Sequence, residues 1–475
     1  MTTAQLFDSS VMREIRQASE RLGDNLYLVG GAARDFLLSG DHPTDWDFAT
    51  PLSTDEVITL LGGRYPIWEA GREFGTIGVY INGSKVDITT FRTETYPDDT
   101  RFPVINYTDD LRLDTARRDF TINSIVLDPN GRVLDFHGGM DDLESGVIRA
   151  VGVPSERFRE DPLRIMRMYR FALKYRFRVD ERTLSDAAQM SIRILNVSRE
   201  RWAMEMEKIL QLHSGVAESY RLMQHFFLES VGRYILPEVS VLANVPQAGR
   251  YHCGDTALNH TIRAVSEMNS NFGRPSVISL WAILLHDIGK ATTSSVEILE
   301  DGEETSHFYG HELVGEIQAE GVAGRFMLSN EARDGICRLV RNHMAPTTLL
   351  QNGYTPRALK RLINRTTPWV NDLMTLAYAD CSSHLGVEES VLVRLKGLWD
   401  EINAIPLYED GKTSQTYELP PHLGTHIMET FGIPSGVMVG NAIDAVTRAI
   451  DEEVISSTPS LEDALAVVRG HLGRD

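Results

Sequence analysis

Cysteine is scarce in this chain, and its three copies, Cys253, Cys337 and Cys381, stand far apart. That spacing excludes a zinc ribbon or a disulfide scaffold and fits a reducing compartment. Long apolar runs are missing as well. The strongest, Val277 to Leu285, contains Ser279 and is too short to cross a bilayer. The opening residues, Met1-Thr2-Thr3-Ala4-Gln5, lack the basic stretch and apolar core of a signal peptide, so a cytoplasmic setting is expected. Basic residues are in deficit, with 47 Lys and Arg against 67 Asp and Glu and a net charge of −20. A chain this acidic does not bind nucleic acid indiscriminately, and any such contact must come from a local basic patch. No internal repeat and no low-complexity segment is present, which excludes a solenoid.

What is present begins with 475 residues that are 42% hydrophobic, enough for about two to four domains with sizeable cores. Near the start stands Leu28-Val29-Gly30-Gly31-Ala32-Ala33-Arg34-Asp35, then Asp45-Trp46-Asp47-Phe48. Tyr27-Leu28-Val29 reads as a buried strand. Two glycines then allow a sharp turn that brings backbone N–H groups near a phosphate. Arg34, about one helical turn beyond Gly31, offers a fork of donors to the same anion. Asp45 and Asp47 alternate, so on a strand both face one side. Two carboxylates on one face suit Mg²⁺ ions, which take oxygen ligands and keep substrate phosphate in their shell. Taken alone, the stretch also reads as a Gly turn followed by a solvated acidic loop.

The segments that follow alternate. Residues 9–23 have the period of an amphipathic helix, and Ser53 to Glu56 has that of a helix N-cap. Thr76 to Ile81, Asn82-Gly83 and Lys85 to Phe91 carry the signal of a hairpin. It places Asp87 where it would join Asp45 and Asp47, either as a third catalytic carboxylate or in a structural salt bridge. Thr95 to Asp109 is a polar loop with Pro97 and Pro103, of a length that is often functional. Arg117-Arg118-Asp119 opens an apolar segment and suits phosphate or ribose contacts. Asp135 to Gly139 reads as a Gly turn with the makings of a hinge. Beyond Arg149 the period changes to 3.6 and stays so to the C-terminus. Residues 149–208 hold 14 Lys and Arg against 9 Asp and Glu, a local excess of +5. Within them Asp161, Arg164, Arg167 and Arg170 are spaced by three, as on one helix face. A solvated salt-bridge ladder would have the same spacing.

Gly30-Gly31-x-x-Arg34-Asp35, Asp45-x-Asp47, Arg117-Arg118-Asp119, Asp135 to Gly139 and Glu160-Asp161-x-x-Arg164 occur in that order. The set resembles the class II tRNA nucleotidyltransferases, the CCA-adding enzymes and bacterial poly(A) polymerases, over residues 25–210. Ser198-Arg199-Glu200-Arg201 with Glu205 is similar to the next motif of that family. The resemblance implies an α+β, polymerase-β-like nucleotidyltransferase head with a mixed sheet, then an all-α neck, body and tail. It implies that Asp45 and Asp47 hold Mg²⁺, with Asp87 beside them, and that Gly30, Gly31 and Arg34 contact the triphosphate. Arg118 and Asp119 would meet the nucleotide sugar–phosphate. Asp161 and Arg164 would read the Watson–Crick edge of CTP or ATP, Glu160 would orient Arg164, and Arg167 and Arg170 would lie along the pocket. A carboxylate accepts from the exocyclic amine of C or A, and an arginine donates to the adjacent ring acceptor. Side chains would thus stand in for a template.

A second constellation follows: Tyr251-His252-x-x-Asp255, His260, His286-Asp287-Ile288-Gly289-Lys290, His311, His343 and Asp380. Each histidine singly reads as a satisfied core or surface residue, but the ordered set resembles the metal-dependent HD phosphohydrolases. That likeness implies that His260, His286, Asp287 and Asp380 hold one divalent metal, and that His311 and His343 serve a second. The metal would activate water for phosphoester cleavage.

The chain is therefore expected to divide into a head (1–148), a neck binding base and RNA (149–210), a helical connector (211–250), an HD domain (251–390) and a helical tail in contact with tRNA (391–475). The tail's Phe431 to Gly440 is a Gly-rich turn between helices. The expected activity is CCA addition to tRNA from CTP and ATP, with a metal-dependent HD hydrolase attached. Neither a membrane nor an obligate protein partner is expected. A poly(A) polymerase, an enzyme adding only CC or only A, and an HD phosphohydrolase with a nucleotide-sensing head are the alternatives.

Overall fold

The computed structural model describes residues 10–40, 45–96, 104–247, 255–298, 304–405, 419–433, 436–451, 454–456 and 458–472. The chain divides into two compact units. One is Met1–Met344 with Thr375–Leu392, and the other is Ala345–Met374 with Val393–Asp475.

The first unit opens on a helix, Ser10–Arg21, where the amphipathic period places it. The strands β1 (Tyr27–Val29), β2 (Trp46–Thr50), β3 (Ile67–Trp68), β4 (Thr76–Ile81) and β5 (Ser84–Thr90) follow, with β6 (Arg92–Thr95) and β7 (Val104–Tyr107) after them. Then come β8 (Val126–Leu127) and β9 (Val133–Leu134). Seven of these make one sheet in the order β3-β4-β5-β2-β1-β8-β9. Only β2 and β5 run parallel; the other neighbours are antiparallel, so the sheet is mixed, as expected. Period-two alternation gives β2 two different faces. Trp46 and Phe48 enter a core with Leu28, Ile77, Val79, Val86 and Ile88, closed by Ala18 and Ala33 from helices. Ala49 turns to the opposite face with Val29, Phe91 and Val126, and Asp47 lies on that face, exposed.

The turn chemistry read from the sequence is present. Asn82 (φ 49°) and Gly83 (φ 79°) are both left-handed, which the tight β4–β5 hairpin requires. Ser53 caps the helix Thr54–Leu61 in a capping box with Glu56. The Asp135 to Gly139 turn is capped as well, its carboxylate accepting from the N–H groups of His137, Gly139 and Met140 at 3.1, 3.0 and 2.9 Å.

Two expectations are corrected. Thr95 to Asp109 is not simply a loop: β6 and β7 pair antiparallel from Arg92↔Tyr107 to Thr95↔Val104, and a helix Leu111–Ala116 follows. Residues 97–103 lie outside the described ones. Strand structure also returns in the helical half, as β10 (Val147–Ile148) parallel to β11 (Arg178–Val179), and as the hairpin β12 (Ser295–Ile298) with β13 (Glu304–His307). Every residue of β12 is exposed. A ribbon without a core face shows no alternation, so hydrophobic periodicity cannot reveal it.

From Pro154 the first unit is mainly helical. Helices Pro154–Glu160 and Leu163–Tyr175 form the joint with the head, and Arg199–Leu212 packs on the second. Helices Ala257–Phe272, Val277–Leu285, His311–Arg325 and Asn330–Asn342 form a further bundle. In the second unit Ile427, Ala442, Val446, Ala464 and Val468 form a separate core. Gly432 ends the helix Leu423–Phe431 in the left-handed conformation, while Pro434 and Ser435 of that turn lie outside the described residues.

Gly139 tests the packing of the capped turn. A Cβ there would fall 2.2 Å from the carbonyl oxygen of Thr121 and 2.7 Å from Ile125. Gly139→Ala should destabilise the protein by about 1–3 kcal/mol, since backbone cannot yield as a side-chain tip would. Urea unfolding of the two proteins measures it.

Candidate functional sites

The helix Gly30–Ser39 starts directly at the end of β1, so its unpaired N–H groups open beside β2. Gly30 has φ +66°, and a Cβ on it would lie 3.1 Å from Arg118 Nη1 and 4.0 Å from Asp47 Oδ2. Glycine is therefore required both by conformation and by the close approach of these two groups. Asp47 and Asp87 are register partners on the parallel strands β2 and β5. Although Asp47 is exposed, the protein packed around its carboxyl removes enough water to push it above its ordinary range, and the charges of Asp87 and Asp45 push it further, against Arg118 and Lys85. Carboxylates gathered against their own repulsion, beside a helix N-terminus, suit divalent cations and a phosphate. Lys85 Nζ holds Asp87 at 2.9 Å, so a salt bridge and a place in the acidic group coexist there.

Arg34 is almost fully buried. It donates to Asp35 Oδ1 at 2.8 Å and to the side-chain oxygen of Asn123, and lies over the rings of Phe171 and Tyr175 at 5.0 and 4.8 Å. Its Nη2 lies 3.5 Å from where a Cβ of Gly31 would be. Asp35 in turn accepts from Tyr175 at 2.7 Å and from Lys174 at 3.3 Å. The arginine next to the Gly-Gly turn is thus clamped between head and neck.

The row Asp161, Arg164, Arg167, Arg170 does not share one helix face, and that expectation is corrected; nor does it form the alternative, a solvated ladder. Asp161 is extended (φ −140°, ψ 100°) between two helices, because Pro162 disfavours helical backbone in the residue before it. Each member reaches a different segment. Asp161 accepts from Arg201 at 2.7 Å. Arg164 donates to Glu160 at 2.7 Å and to the backbone oxygen of Arg117 at 2.8 Å. Arg167 donates twice to Asp119 Oδ2, at 2.9 and 2.6 Å, and Arg170 donates to Glu205 at 2.6 Å. Arg117 is held by Asp114 and by Glu94, and Arg118 reaches Asp114 at 3.4 Å. Sequence reasoning gave no role to Glu94 or Asn123. Asn123 donates to Asp119 Oδ1 at 2.8 Å while accepting from Arg34.

In the helical bundle, imidazoles and carboxylates from five segments converge. His260 sits on Ala257–Phe272, His286 and Asp287 follow Val277–Leu285, His311 opens His311–Arg325, His343 ends Asn330–Asn342, and Asp380 lies on Val370–Ser382. All six are buried. Asp287 bridges the group: Oδ2 lies 3.2 Å from His286 and 3.6 Å from His260, while Oδ1 lies 3.5 Å from His311 and 4.0 Å from His343. Tyr251 and His252 of the same constellation lie outside the described residues.

The second ring nitrogens decide the chemistry. Nδ1 of His286, His311 and His343 each lies 2.7 Å from the backbone oxygen three residues earlier, that of Ile283, Phe308 and Val340. His260 Nδ1 lies 3.0 Å from Ser383 Oγ, whose own proton goes to Asp380 O. Each Nδ1 therefore carries a proton, which leaves a lone pair on Nε2 of every ring that is neutral. Those lone pairs face acceptors: His311 and His343 across 3.1 Å, His260 and Asp380 across 2.9 Å. Burial pushes His260 down to about 4 and His343 to about 3. Burial opposes a proton on His286 too, yet Asp287 and Asp380 raise it to about 10. That proton and Lys290 Nζ, 2.7 Å from Asp287 Oδ2, still leave His311 and His343 facing each other, which a bound divalent cation would reconcile. This donor set fits divalent metal at His260, His286, Asp287 and Asp380, and at Asp287, His311 and His343.

Three family models match the chain. Residues 26–149 match the poly A polymerase head domain, residues 176–242 the model described as "Probable RNA and SrmB- binding site of polymerase A", and residues 259–365 the HD domain. A match to a poly A polymerase head domain is thus followed along the chain by a match to an HD domain. The likeness to the class II nucleotidyltransferases, read from ordered motifs, is borne out. Among curated proteins, the CCA-adding enzyme of Staphylococcus epidermidis is 37% identical over 215 residues, 45% of this chain and 52% of that protein. That of Enterococcus faecalis is 39% identical over 201 residues, 42% of this chain and 48% of that protein. The chain thus spans about half the length of the curated relatives it matches. In fold it is similar to the Bacillus stearothermophilus CCA-adding enzyme crystallised with CTP, with a TM-score of 0.58, 22% identity and 98% of both chains covered. The Thermotoga maritima enzyme complexed with tRNA gives 0.56 at 19% identity, covering 99% of this chain and 97% of that one. No helix among the described residues is long and apolar enough to cross a membrane.

The head–neck clamp carries a pH signature. Burial opposes ionisation of Asp119, but Arg167 and Asn123 outweigh it and hold the carboxyl at about 2, against an ordinary 3.8. A depressed carboxyl contributes stability above its ordinary value and loses it as pH falls through the folded value. Asp119 should therefore contribute about 2 kcal/mol above pH ~4, fading toward pH ~2. Wild type should exceed Asp119→Asn in unfolding free energy at pH 5, and the gap should close as the pH is lowered to about 2.

Proposed function

We propose that this chain adds CCA to the 3′ end of tRNA from CTP and ATP, without a template. The observation that carries the reading is the gathering of Asp45, Asp47 and Asp87 beside the Gly30 helix start, with Asp161 paired to Arg201 and Arg164 to Glu160. Relatives named CCA-adding enzymes, aligned over a little under half of the chain, support it. Asp45 and Asp47 would hold Mg²⁺, with Asp87 as the third carboxylate; when bound, the metal supplies charge neutralisation at the phosphates and a more acidic 3′-hydroxyl. Gly30 and Gly31 offer backbone N–H groups to the triphosphate, with Arg34 and Arg118 as its cationic wall. Asp161 accepts from the base amine and Arg164, oriented by Glu160, donates to the ring beside it. Asp119 with Arg167 keeps that pair in register with the head, and Glu205 with Arg170 fixes its helix against Arg199–Leu212. The proposed setting is cytoplasmic, with head, neck, connector, HD domain and tail divided as the sequence indicates and the tail touching tRNA. Incubation with tRNA transcripts ending before the first C, after the second C or after the A, with each labelled nucleotide in turn, separates CCA addition from partial and poly(A) addition.

Two variants test the roles. Asp47→Ala should abolish addition of every nucleotide alike while leaving tRNA binding nearly intact, because phosphate contacts supply most of the affinity. Asp161→Ala should instead narrow the gap between CTP and UTP. UTP presents a carbonyl to the carboxylate, and each lost bidentate contact is worth roughly 1–3 kcal/mol. kcat/KM for four nucleotides on one primer decides it; an unchanged ratio places base selection elsewhere.

The convergent Nε2 atoms favour a second activity, metal-dependent phosphoester hydrolysis at the HD centre. Its bound metal would supply an activated water. His286→Ala should abolish hydrolysis of 2′,3′-cyclic phosphates and nucleotides without stopping nucleotide addition. A protein that hydrolyses none of these with Mn²⁺, Ni²⁺, Co²⁺ or Mg²⁺ has a structural HD domain only.

A further inference from the structure

We infer that His384, which no motif includes, is a further ligand of the HD metal beside His260 and Asp380. The inference rests on the metal-dependent reading of that centre. The ligand atoms of His260, Asp380 and His384 lie within 4.8 Å of one another. The His384 ring stands 4.8 Å from that of His260, tilted by 41°. Its Nδ1 lies 3.3 Å from the backbone oxygen of Cys381, three residues earlier. Three other imidazoles of the centre, His286, His311 and His343, use the same device: a carbonyl at the third preceding residue takes the Nδ1 proton and makes Nε2 the metal-binding atom. A histidine that only packed against His260 would not need its tautomer set in this way.

The segment Asp380 to His384 then does three things in little more than one helical turn. Asp380 supplies a carboxylate oxygen. Ser383 Oγ, 3.0 Å from His260 Nδ1, sets the tautomer of His260. His384 supplies a third imidazole on the same side, and it is only partly buried where His260 and Asp380 are buried. With it His260, Asp380 and His384 form one donor set, which shares His260 with the set His260, His286 and Asp287. Three nitrogens favour a transition ion such as Co²⁺, Ni²⁺ or Zn²⁺ over Mg²⁺, which takes oxygen. The partly exposed His384 occupies the solvent side, where substrate phosphate would enter.

The test uses the full chain in an Asp47→Ala background, which removes the head's own metal. Chelator-stripped protein is titrated with Co²⁺ and followed by calorimetry and by visible absorption. His384→Ala should weaken Co²⁺ binding about tenfold or more and shift the absorption band, since even an outer partner of a ligand is worth about 10–100-fold. His384→Gln, which keeps most of the volume but not the imidazole, should do the same, with an unchanged far-ultraviolet circular dichroism spectrum. Unchanged affinity and spectrum in both variants would overturn the assignment. Failure of the His384-containing protein to bind Co²⁺ at all would overturn the metal-dependent reading itself, and this inference with it.

Discussion

One buried carboxylate, that of Asp119, ties the sheet-bearing part of the first unit to the helix Leu163–Tyr175. It accepts two hydrogen bonds from the Arg167 guanidinium on the neck helix and one from Asn123 on its own segment. Asn123 passes the constraint to Arg34, and Arg34 to Asp35, Phe171 and Tyr175. A buried charge of this kind is costly unless fully partnered, so the partners must all be in place at once. The consequence is positional. The helix start at Gly30 belongs to the head and the Asp161–Arg164 pair to the joint, yet both are referred to one network. A nucleotide held by its phosphates at one end and its base at the other needs that common reference.

The HD centre is arranged by a different constraint. It brings lone pairs into opposition, with four imidazole tautomers set by backbone oxygens and a serine. Asp287 sits at the middle with one oxygen toward each group of ligands. Tight burial follows from where the ligands stand: His286 ends the apolar helix Val277–Leu285, while His343 ends and His311 begins helices with buried faces. Such a centre is built for a cation, whereas the head's acidic group, more open and partly neutralised by Lys85 and Arg118, suits a metal that arrives with its nucleotide.

Much of this could be read in the chain. Asn82-Gly83, Ser53 with Glu56, and the alternation along β2 carry local signals, and local signals survive without tertiary context. Gly30, Asp45 and Asp47 are close together in sequence, so their grouping is local too. The ribbons β6–β7 and β12–β13 were not legible, because neither has a face in a core. The Asp161 to Arg170 spacing misled for a related reason: a proline one residue on removes Asp161 from the helix, and a period of three says nothing of where long side chains end. His384 stands four residues after Asp380, a helical spacing that marks a shared side, but the ordered motif ends at the aspartate.

By itself, then, the amino-acid sequence determined the elements of the head, the identity of the acidic and imidazole groups, and the order in which they appear. These follow from periodicity, turn conformation and donor chemistry, all of which act over a few residues. Only the tertiary structure decided who partners whom across long separations. Arg34 faces Asn123 rather than open solvent, Asp161 meets Arg201, Asp119 takes Arg167, and His384 comes to stand beside His260. Those pairings depend on how helices pack, and packing is set by the sum of many small contacts that no single stretch of chain contains.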